Sequence, residues 1–180
     1  MPLPREQIYT IEDIYHLPDG QRAELIDGQM YDMAPPGRRH QRILSALHLA
    51  IGNYINTNNG SCEVDIAPFA VFLDEDDYNY VEPDLSVICD PGKLTDRGCN
   101  GAPDWIIEIV SPGSRRMDYM IKLFKYRSAG VREYWIVDSD KDRIMVYDFA
   151  GDETAEYTFS DVVPVGIYPG FSIDFNTIRV

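Results

Sequence analysis

Cysteine and long apolar runs are scarce in this chain, and each scarcity excludes a class of protein. Its three cysteines, Cys62, Cys89 and Cys99, are too few and too scattered to predict a disulfide framework, and they form no CxxC pair of the kind that holds structural zinc. No apolar run approaches the roughly 20 residues that cross a bilayer. The opening MPLPREQIYT has no apolar core typical of a secretion signal. We therefore predict a protein of the reducing cytoplasm that makes no membrane contact.

Positive charge is also scarce, and it is unevenly distributed. The 180 residues include 16 Lys and Arg against 30 Asp and Glu, and the net charge of −14 argues against broad nonspecific binding to nucleic acid. Residues 61–90 contain nine acids and no Lys or Arg, whereas residues 114–132 contain six basic residues and one acid, Asp118. The first segment suits a cation and the second an anion. The apolar share of 44% is typical of a globular protein, so we predict one domain over residues 1–180.

Apolar periodicity and turn residues predict a mixed α/β (α+β) domain with a mixed central sheet flanked by helices. A hairpin is predicted at Asp27-Gly28, and a helix from Ser114 to Gly130 whose packed face carries Met117, Ile121 and Phe124. The other predicted helices lie in TIEDIYHLPDG and GRRHQRILSALHLAIGNYINTN. The predicted strands are EVDIAPFAVFL with a break at Pro68, DLSVICD, DWIIEIVS, VREYWIVD and DRIMVYDF, while PGKLTDRGCNGAP is predicted as a loop and the C-terminal remainder as loop and edge strand.

One carboxylate interrupts the most apolar of these strands. Side chains alternate across a strand, so in DWIIEIVSP the side chain of Glu108 shares a face with Ile106 and Val110. Burying an unpaired charge costs several kcal/mol, so Glu108 needs a partner. Three roles are open: a salt-bridged or protonated core acid, an acid near water at a strand end, or a metal ligand.

The neighbouring segments favour the third role. Asp84 follows Pro83 at the start of the preceding strand, and two carboxylates from adjacent strands form an oxygen-rich pocket suited to Mg²⁺. Asp118 and Lys122 lie four residues apart on the basic helix, and so on one face of it. An exposed salt bridge and a solvated basic face are the alternative interpretations of this helix.

These residues carry a resemblance to a known superfamily. The order Pro83-Asp84, Glu108 and then a lysine is similar to the PD-(D/E)XK nucleases, and more closely to their Uma-two family of restriction endonucleases. The supporting stretches are AELIDGQMYDMAPPGRRH, PDLSVICD, PDWIIEIVSPGS, DYMIKLFKYRSAGVREYWIVD and VYDF, which together span most of residues 9–149. The run KYRSAGVREYWIVD is the most specific of them. One position departs from the superfamily pattern, because Val110 stands where the lysine is expected.

The resemblance implies a restriction-endonuclease-like fold, a homodimer, and Mg²⁺-dependent hydrolysis of DNA, with Mn²⁺ as a substitute metal. It implies that Asp84 and Glu108 are catalytic and bind the metal, together with the backbone carbonyl of Ile109. Lys122, in the D-x-x-x-K-x-x-x-Y run, is the matching catalytic lysine. Residues with a supporting or phosphate-binding role in this interpretation are Glu24, Asp118, Arg38, His40, Arg115, Arg116 and Lys125.

Other interpretations of these residues and of the whole chain stay open. Glu24 is also compatible with an exposed hairpin position and His40 with a structural role. Tyr134 and Trp135 are predicted core residues. A nuclease-like module that has lost activity and binds DNA or protein is the alternative to an enzyme, and a hydrolase of a small phosphorylated substrate is a third interpretation.

Overall fold

The structure, a computed structural model, describes residues 7–178. Its helices are α1 (Ile11–Tyr15), α2 (Arg38–Thr57) and α3 (Leu123–Ala129), with 3-10 turns at Pro91–Lys93 and Phe175–Thr177 and a π-helix at Met117–Lys122. Its strands are β1 (Ala23–Ile26), β2 (Gln29–Asp32), β3 (Glu63–Ile66), β4 (Val71–Phe72), β5 (Leu85–Ile88), β6 (Leu94–Thr95), β7 (Gly98–Asn100), β8 (Trp105–Ile109), β9 (Glu133–Asp138), β10 (Arg143–Asp148), β11 (Glu153–Tyr157), β12 (Val162–Pro164) and β13 (Ser172–Asp174). No helix in this part of the chain combines the length and apolarity needed to cross a membrane.

A mixed six-stranded sheet forms the centre of the fold, in the order β11-β10-β9-β8-β5-β3. Only β8 and β9 run parallel, because the chain returns between them through the π-helix and α3. Short turns join β9 to β10 and β10 to β11, whereas longer segments that contain β4, and β6 with β7, join β3 to β5 and β5 to β8. This confirms the predicted mixed sheet flanked by helices. The domain limits of 1 and 180 remain a prediction, and most of the opening stretch that argued against secretion lies outside the described residues.

The two faces of β8 bury different sets of side chains. Trp105, Ile107 and Ile109 pack against the apolar side of α2, as members of one core cluster. Ile106 and Val110 belong to a second cluster, which contains Tyr126 from α3. The alternation predicted from sequence is confirmed, and it places the side chain of Glu108 on the face covered by α3. Tyr134 and Trp135 are fully buried, as predicted.

Strand register brings Asp84 and Glu108 together. Leu85 pairs with Ile107 in the antiparallel β5–β8 ladder, so the residue before β5 lies opposite the fourth residue of β8. The hairpin β1–β2 turns at Asp27 and Gly28, both with positive φ, as the Asp-Gly pair predicts. Its first strand reaches the same region from the other side, because Leu25 forms a bridge with Tyr80 just before Asp84.

Several features differ from the sequence predictions. Cys62 and Cys89 form a disulfide, because the register of β3 and β5 makes them cross-strand neighbours with Cα atoms 4.0 Å apart. The predicted loop at residues 91–103 contains β6 and β7, which build a small sheet with β4. The predicted helix from Ser114 includes a π-helical segment, and Phe124 is 76% exposed rather than packed. The π-helix has more residues per turn than an α-helix and so changes which residues face the sheet, and a regular 3.6-residue period therefore misplaces Phe124.

Candidate functional site

Glu108 is buried but has partners for its charge. Its side chain is 5% exposed, and Oε1 accepts hydrogen bonds from Lys122 Nζ at 2.8 Å and from the Tyr126 hydroxyl at 2.7 Å. The other oxygen, Oε2, lies 3.4 Å from the backbone nitrogen of Asp84. Lys122 and Tyr126 are four residues apart, so consecutive helical turns direct both side chains at Glu108.

Lys122 is the buried cation at the centre of an acidic cluster. Its Nζ contacts Glu24 Oε2 at 2.8 Å as well as Glu108, and Asp118 Oδ1 lies 3.9 Å away. Glu24 is anchored by the backbone nitrogen of Glu82, and so β1 supplies a fixed carboxylate to the cluster. The side chains of Glu24, Asp118 and Lys122 are each at most 5% exposed. The interpretation of Glu24 as an exposed hairpin residue and that of Asp118 and Lys122 as an exposed salt bridge are therefore both wrong.

Asp84 forms the more accessible side of the cluster. Its side chain is 18% exposed, and Oδ2 accepts a hydrogen bond from the backbone N–H of Ile109 at 2.8 Å. His40 Nε2, on the first turn of α2, lies 3.0 Å from the same oxygen. The second ring nitrogen of His40 is enclosed and has no hydrogen-bond partner among residues 7–178. The N-terminus of α2 therefore reaches the carboxylate, and it contributes the partial positive charge of a helix start.

Negative charge exceeds positive charge in this cluster, where Lys122 stands among four carboxylates: Glu24, Asp84, Glu108 and Asp118. Burial raises the pKa of Glu108 well above its ordinary value, Lys122 opposes the shift, and the other carboxylates add to it. Burial likewise raises the pKa of Asp118 to about 6, against the opposing effect of Lys122. Burial lowers the pKa of Lys122, but Glu108 and the other acids raise it more, so the ammonium stays charged. A further cation would relieve the remaining repulsion.

The donor set of the cluster suits magnesium better than zinc or calcium. Within residues 7–178, no group of three or more His, Cys, Asp or Glu side chains has an arrangement that could hold a metal by itself. Mg²⁺ needs fewer protein ligands, because it usually keeps several waters and binds one or two carboxylates. Asp84 and Glu108, which face each other across β5 and β8, provide such a pair. The backbone of Ile109 contacts Asp84 through its N–H, and a ligand role for its carbonyl remains a prediction.

The predicted phosphate-binding residues fall into two groups. One group lies at the end of the sheet where β8 ends, which is also the end that carries Asp84 and Glu108. Its members are Arg38, His40, Arg115 and Arg116. Arg115 pairs with Asp138 at 3.1 Å, at the end of β9. Lys125 differs: it is 8% exposed, and its Nζ contacts Asp27 at 2.7 Å and Asp74 at 2.8 Å. These two carboxylates neutralise the charge of Lys125 in this structure, and phosphate binding by Lys125 stays a prediction.

Tyr126 and Asp138 were not singled out from the sequence. Tyr126 is fully buried and donates to Glu108, and the D-x-x-x-K-x-x-x-Y spacing already places it on the face that carries Asp118 and Lys122. Asp138 is 1% exposed and holds Arg115 at the end of β9. No sequence signal shows this pair, because it depends on the parallel register of β8 and β9.

Tyr126→Phe tests whether the tyrosine hydroxyl helps to hold Glu108. The change removes one charge-assisted hydrogen bond to a buried carboxylate, so we expect unfolding free energy to fall by about 2 kcal/mol. For a domain of this size that corresponds to a drop of roughly 4–8 °C in Tm, measured by calorimetry. Tyr147→Phe is the control, because the Tyr147 hydroxyl makes no hydrogen bond with any described residue. Equal drops for the two variants would contradict the contact.

Comparisons with known proteins agree with the family and the fold that the sequence predicts. Residues 9–176 match the model of the Uma2 family, which is described as "Putative restriction endonuclease". The chain is 27% identical over 128 residues to "Uncharacterized protein slr1290" from Synechocystis sp. PCC 6803; the match covers 71% of this chain and 66%, just under two thirds, of that relative. A crystal structure of "a putative nuclease belonging to DUF820" from Anabaena variabilis superposes with a TM-score of 0.76 at 20% identity, covering 94% of this chain and 96% of the other.

The structural likeness confirms the predicted nuclease-like fold, and the family match extends over both acids, the buried lysine and the hairpin that supplies Glu24. On the strength of that match, this chain belongs to the Uma2 family, and its resemblance to the restriction-endonuclease branch is confirmed.

Proposed function

We propose that this protein is a Mg²⁺-dependent endonuclease that hydrolyses DNA phosphodiester bonds. The observation that carries the proposal is the position of Asp84 and Glu108, which face each other across β5 and β8 beside the buried ammonium of Lys122. Two oxygen ligands and one fixed cation at a sheet edge are the elements that metal-assisted phosphoryl chemistry needs. The match to the Uma2 family, whose description is "Putative restriction endonuclease", supports this reaction class.

Asp84 and Glu108 would hold the metal, with the backbone carbonyl of Ile109 as the third predicted ligand. When bound, Mg²⁺ supplies a nucleophilic water at neutral pH and offsets negative charge on the phosphate; Mn²⁺ is the expected substitute. The N–H of Ile109 and the ring of His40 fix the Asp84 carboxylate from two sides. The site therefore has a ligand whose orientation is set before substrate arrives.

Lys122 provides the fixed positive charge of the site. Glu24 and Glu108 each contact its Nζ at 2.8 Å, so the ammonium cannot move away from the acid pair. A preorganised cation next to a developing phosphate charge needs no reorganisation during the reaction, and so it lowers the barrier efficiently. This position gives a physical reason why Val110 can replace the lysine of the superfamily pattern, because the charge enters from the helix instead of the strand.

DNA would approach along the sheet edge that carries these acids. Arg38 and His40 lie on the first turn of α2, where the helix dipole favours phosphate, and Arg115 and Arg116 precede the π-helix. Local positive charge of this kind lets a protein with a net charge of −14 bind a polyanion at one face. The sequence prediction of a homodimer that cuts both strands belongs to this proposal.

A cytoplasmic location also belongs to the proposal, although the Cys62–Cys89 disulfide is uncommon in reduced compartments. The alternative function is a nuclease-like module that binds DNA or protein without cutting. Two observations favour it: Val110 in place of the superfamily lysine, and the two carboxylates that already neutralise Lys122.

A cleavage assay on a mixed pool of DNA and RNA separates the two functions. We expect the protein to cut DNA with Mg²⁺ or Mn²⁺ and to lose activity in EDTA, while Asp84→Asn stays inactive under all conditions. Gel analysis of labelled single- and double-stranded substrates measures the products. Binding to DNA without cutting, in any metal, would favour the inactive module. Metal-independent cutting, or cutting that persists in Asp84→Asn, would exclude the proposed mechanism.

A further inference from the structure

A cavity opens beside the acid cluster, with a volume of about 580 Å³. The cavity is open to solvent, and it is lined by the chain that leaves β8, the start of the basic helix and the β9–β10 turn. Volumes of about 300–1,000 Å³ are typical of small-molecule sites, so the cavity is large enough for one nucleotide.

The cavity wall offers apolar surface and a polar hydroxyl, which together suit a flat and partly polar group. Pro112, Met120 and the Tyr119 ring provide apolar surface. The Tyr119 hydroxyl is enclosed and has no hydrogen-bond partner among the residues that the structure describes. Burial raises the pKa of Tyr119 to about 12, so at neutral pH the hydroxyl is a donor and an acceptor without a partner. Buried polar groups almost always have partners, so a water or ligand that reached this hydroxyl would satisfy it.

Four basic side chains line the cavity, and two of them, Arg116 and Lys141, are available for a phosphate. Arg115 and Arg143, which also line it, are neutralised by Asp138 and Glu156 respectively. Arg116 and Lys141 have no ion-pair partner within residues 7–178, and both are exposed. The cavity therefore combines an apolar wall with unpaired positive charge at its rim, and a nucleotide carries the two complementary parts.

The position of the cavity links it to the proposed cleavage site. Pro112 lies four residues beyond Glu108, so the cavity wall is at most about 14 Å from that acid along the chain. Asp138 ends β9 next to the end of β8, where the backbone of Val110 donates to Val137 at 2.9 Å. A strand bound at the acid cluster would thus place a neighbouring nucleotide at the cavity.

We propose that this cavity binds one unstacked nucleotide of the substrate strand, with its base against Tyr119 and Met120 and its phosphate on Arg116 and Lys141. The proposal rests on the proposed nuclease function and narrows its substrate class to DNA that is single-stranded or locally unpaired next to the cut. Phe124, 76% exposed and four residues beyond Met120, is an aromatic side chain on which a second base could stack.

Mononucleotide binding tests the cavity without metal or cleavage. In EDTA, titration of the protein with a deoxynucleoside monophosphate, with inorganic phosphate and with the free deoxynucleoside is followed by calorimetry. We expect the monophosphate to bind at least tenfold more tightly than inorganic phosphate or the free deoxynucleoside. Only the monophosphate contacts both the apolar wall and the positively charged rim of the cavity. Tyr119→Ala and Arg116→Gln should each weaken its binding at least tenfold, and Tyr119→Phe, which keeps the ring, by a smaller factor.

Matched variants outside the cavity serve as controls. Tyr78→Ala removes an exposed tyrosine elsewhere, and Arg132→Gln removes a cation at the opposite end of β9, so both should bind the monophosphate as wild type does. Phosphate that binds as tightly as the monophosphate, or Tyr119→Phe and Tyr119→Ala that leave affinity unchanged, would overturn the nucleotide site. Either result leaves the metal-dependent cleavage assay unaffected. Loss of cleavage with intact monophosphate binding would instead overturn the proposed function alone.

Discussion

Lys122→Met is expected to lower Mg²⁺-dependent cleavage by about a hundredfold or more, the usual effect of removing one preorganised charge-stabilising donor. The methionine keeps most of the volume of the side chain but leaves Glu24 and Glu108 without their shared cation. Single-turnover cleavage at saturating protein isolates the chemical step from DNA binding. Metal binding by Asp84 should persist, because its contacts with His40 and Ile109 do not involve the lysine.

The same change also destabilises the fold, so a matched control is needed. Removing one partner of a buried ion pair typically costs about 3–5 kcal/mol, and Lys122 is 4% exposed. Lys125→Met is the control: Lys125 lies three residues further along, is 8% exposed and also contacts two carboxylates, Asp27 and Asp74. Because those acids lie outside the cluster, Lys125→Met should cut at close to the wild-type rate. Equal losses for both variants would contradict the catalytic role of Lys122.

A second-site change makes this test more specific. Val110 lies on the face of β8 that carries Glu108, at the position where the superfamily pattern has its lysine. A Val110→Lys, Lys122→Met double variant returns the ammonium to the strand, and we expect it to regain part of the lost cleavage. Recovery would show that the position of the charge matters rather than the element that supplies it.

Local pattern suggested the two acids and the basic helix as a possible site, and the family resemblance assigned the catalytic lysine to Lys122. Alternation along β8 placed Glu108 on one face of the strand. The Pro83-Asp84 pair marked the start of the preceding strand. The four-residue spacing placed Asp118 and Lys122 on one side of the helix. The structure brings these side chains into one cluster. These relationships depend on short-range geometry, and short-range geometry is readable from sequence.

Long-range register explains most of what the sequence did not predict. The partners of Lys125 come from the β1–β2 turn and from the acidic segment after β4, and Cys62 meets Cys89 only through the pairing of β3 with β5. The exposure of Phe124 follows from the π-helix, whose changed period no composition signal reveals. The cavity at Tyr119 depends on the parallel neighbours β8 and β9, and these are distant in sequence.

The partners of Glu108 decide how its removal changes the stability of the apo protein. An unpaired acid in an apolar strand would destabilise the apo protein, and its removal would then raise stability. The structure instead gives Glu108 the Lys122 ammonium and the Tyr126 hydroxyl as partners. Removing the carboxylate leaves both without an acceptor, so Glu108→Ala is now expected to destabilise the apo protein.

Glu108→Gln is expected to abolish the stabilisation of the fold by a divalent cation. A ligand that binds only the native state stabilises it by about 2.7 kcal/mol at a concentration 100 times its Kd, which for this size of domain corresponds to roughly 5–11 °C in Tm. Wild type should show this rise with Mg²⁺ or Mn²⁺, measured by calorimetry against EDTA. Glutamine keeps the shape of the side chain but loses the negative charge, so the rise should disappear together with cleavage.

Glu133→Gln is the matched control for the metal site. Glu133 is a glutamate of the same sheet, 1% exposed, and it accepts hydrogen bonds from Trp135 and from the backbone of Gly166 and Ile167. It lies at the start of β9, at the edge opposite the acid cluster. Glu133→Gln should therefore lower Tm in EDTA but keep the full rise with metal. A rise of equal size in Glu108→Gln and wild type would remove Glu108 from the metal site, and the cation would then have to bind elsewhere on this acidic chain.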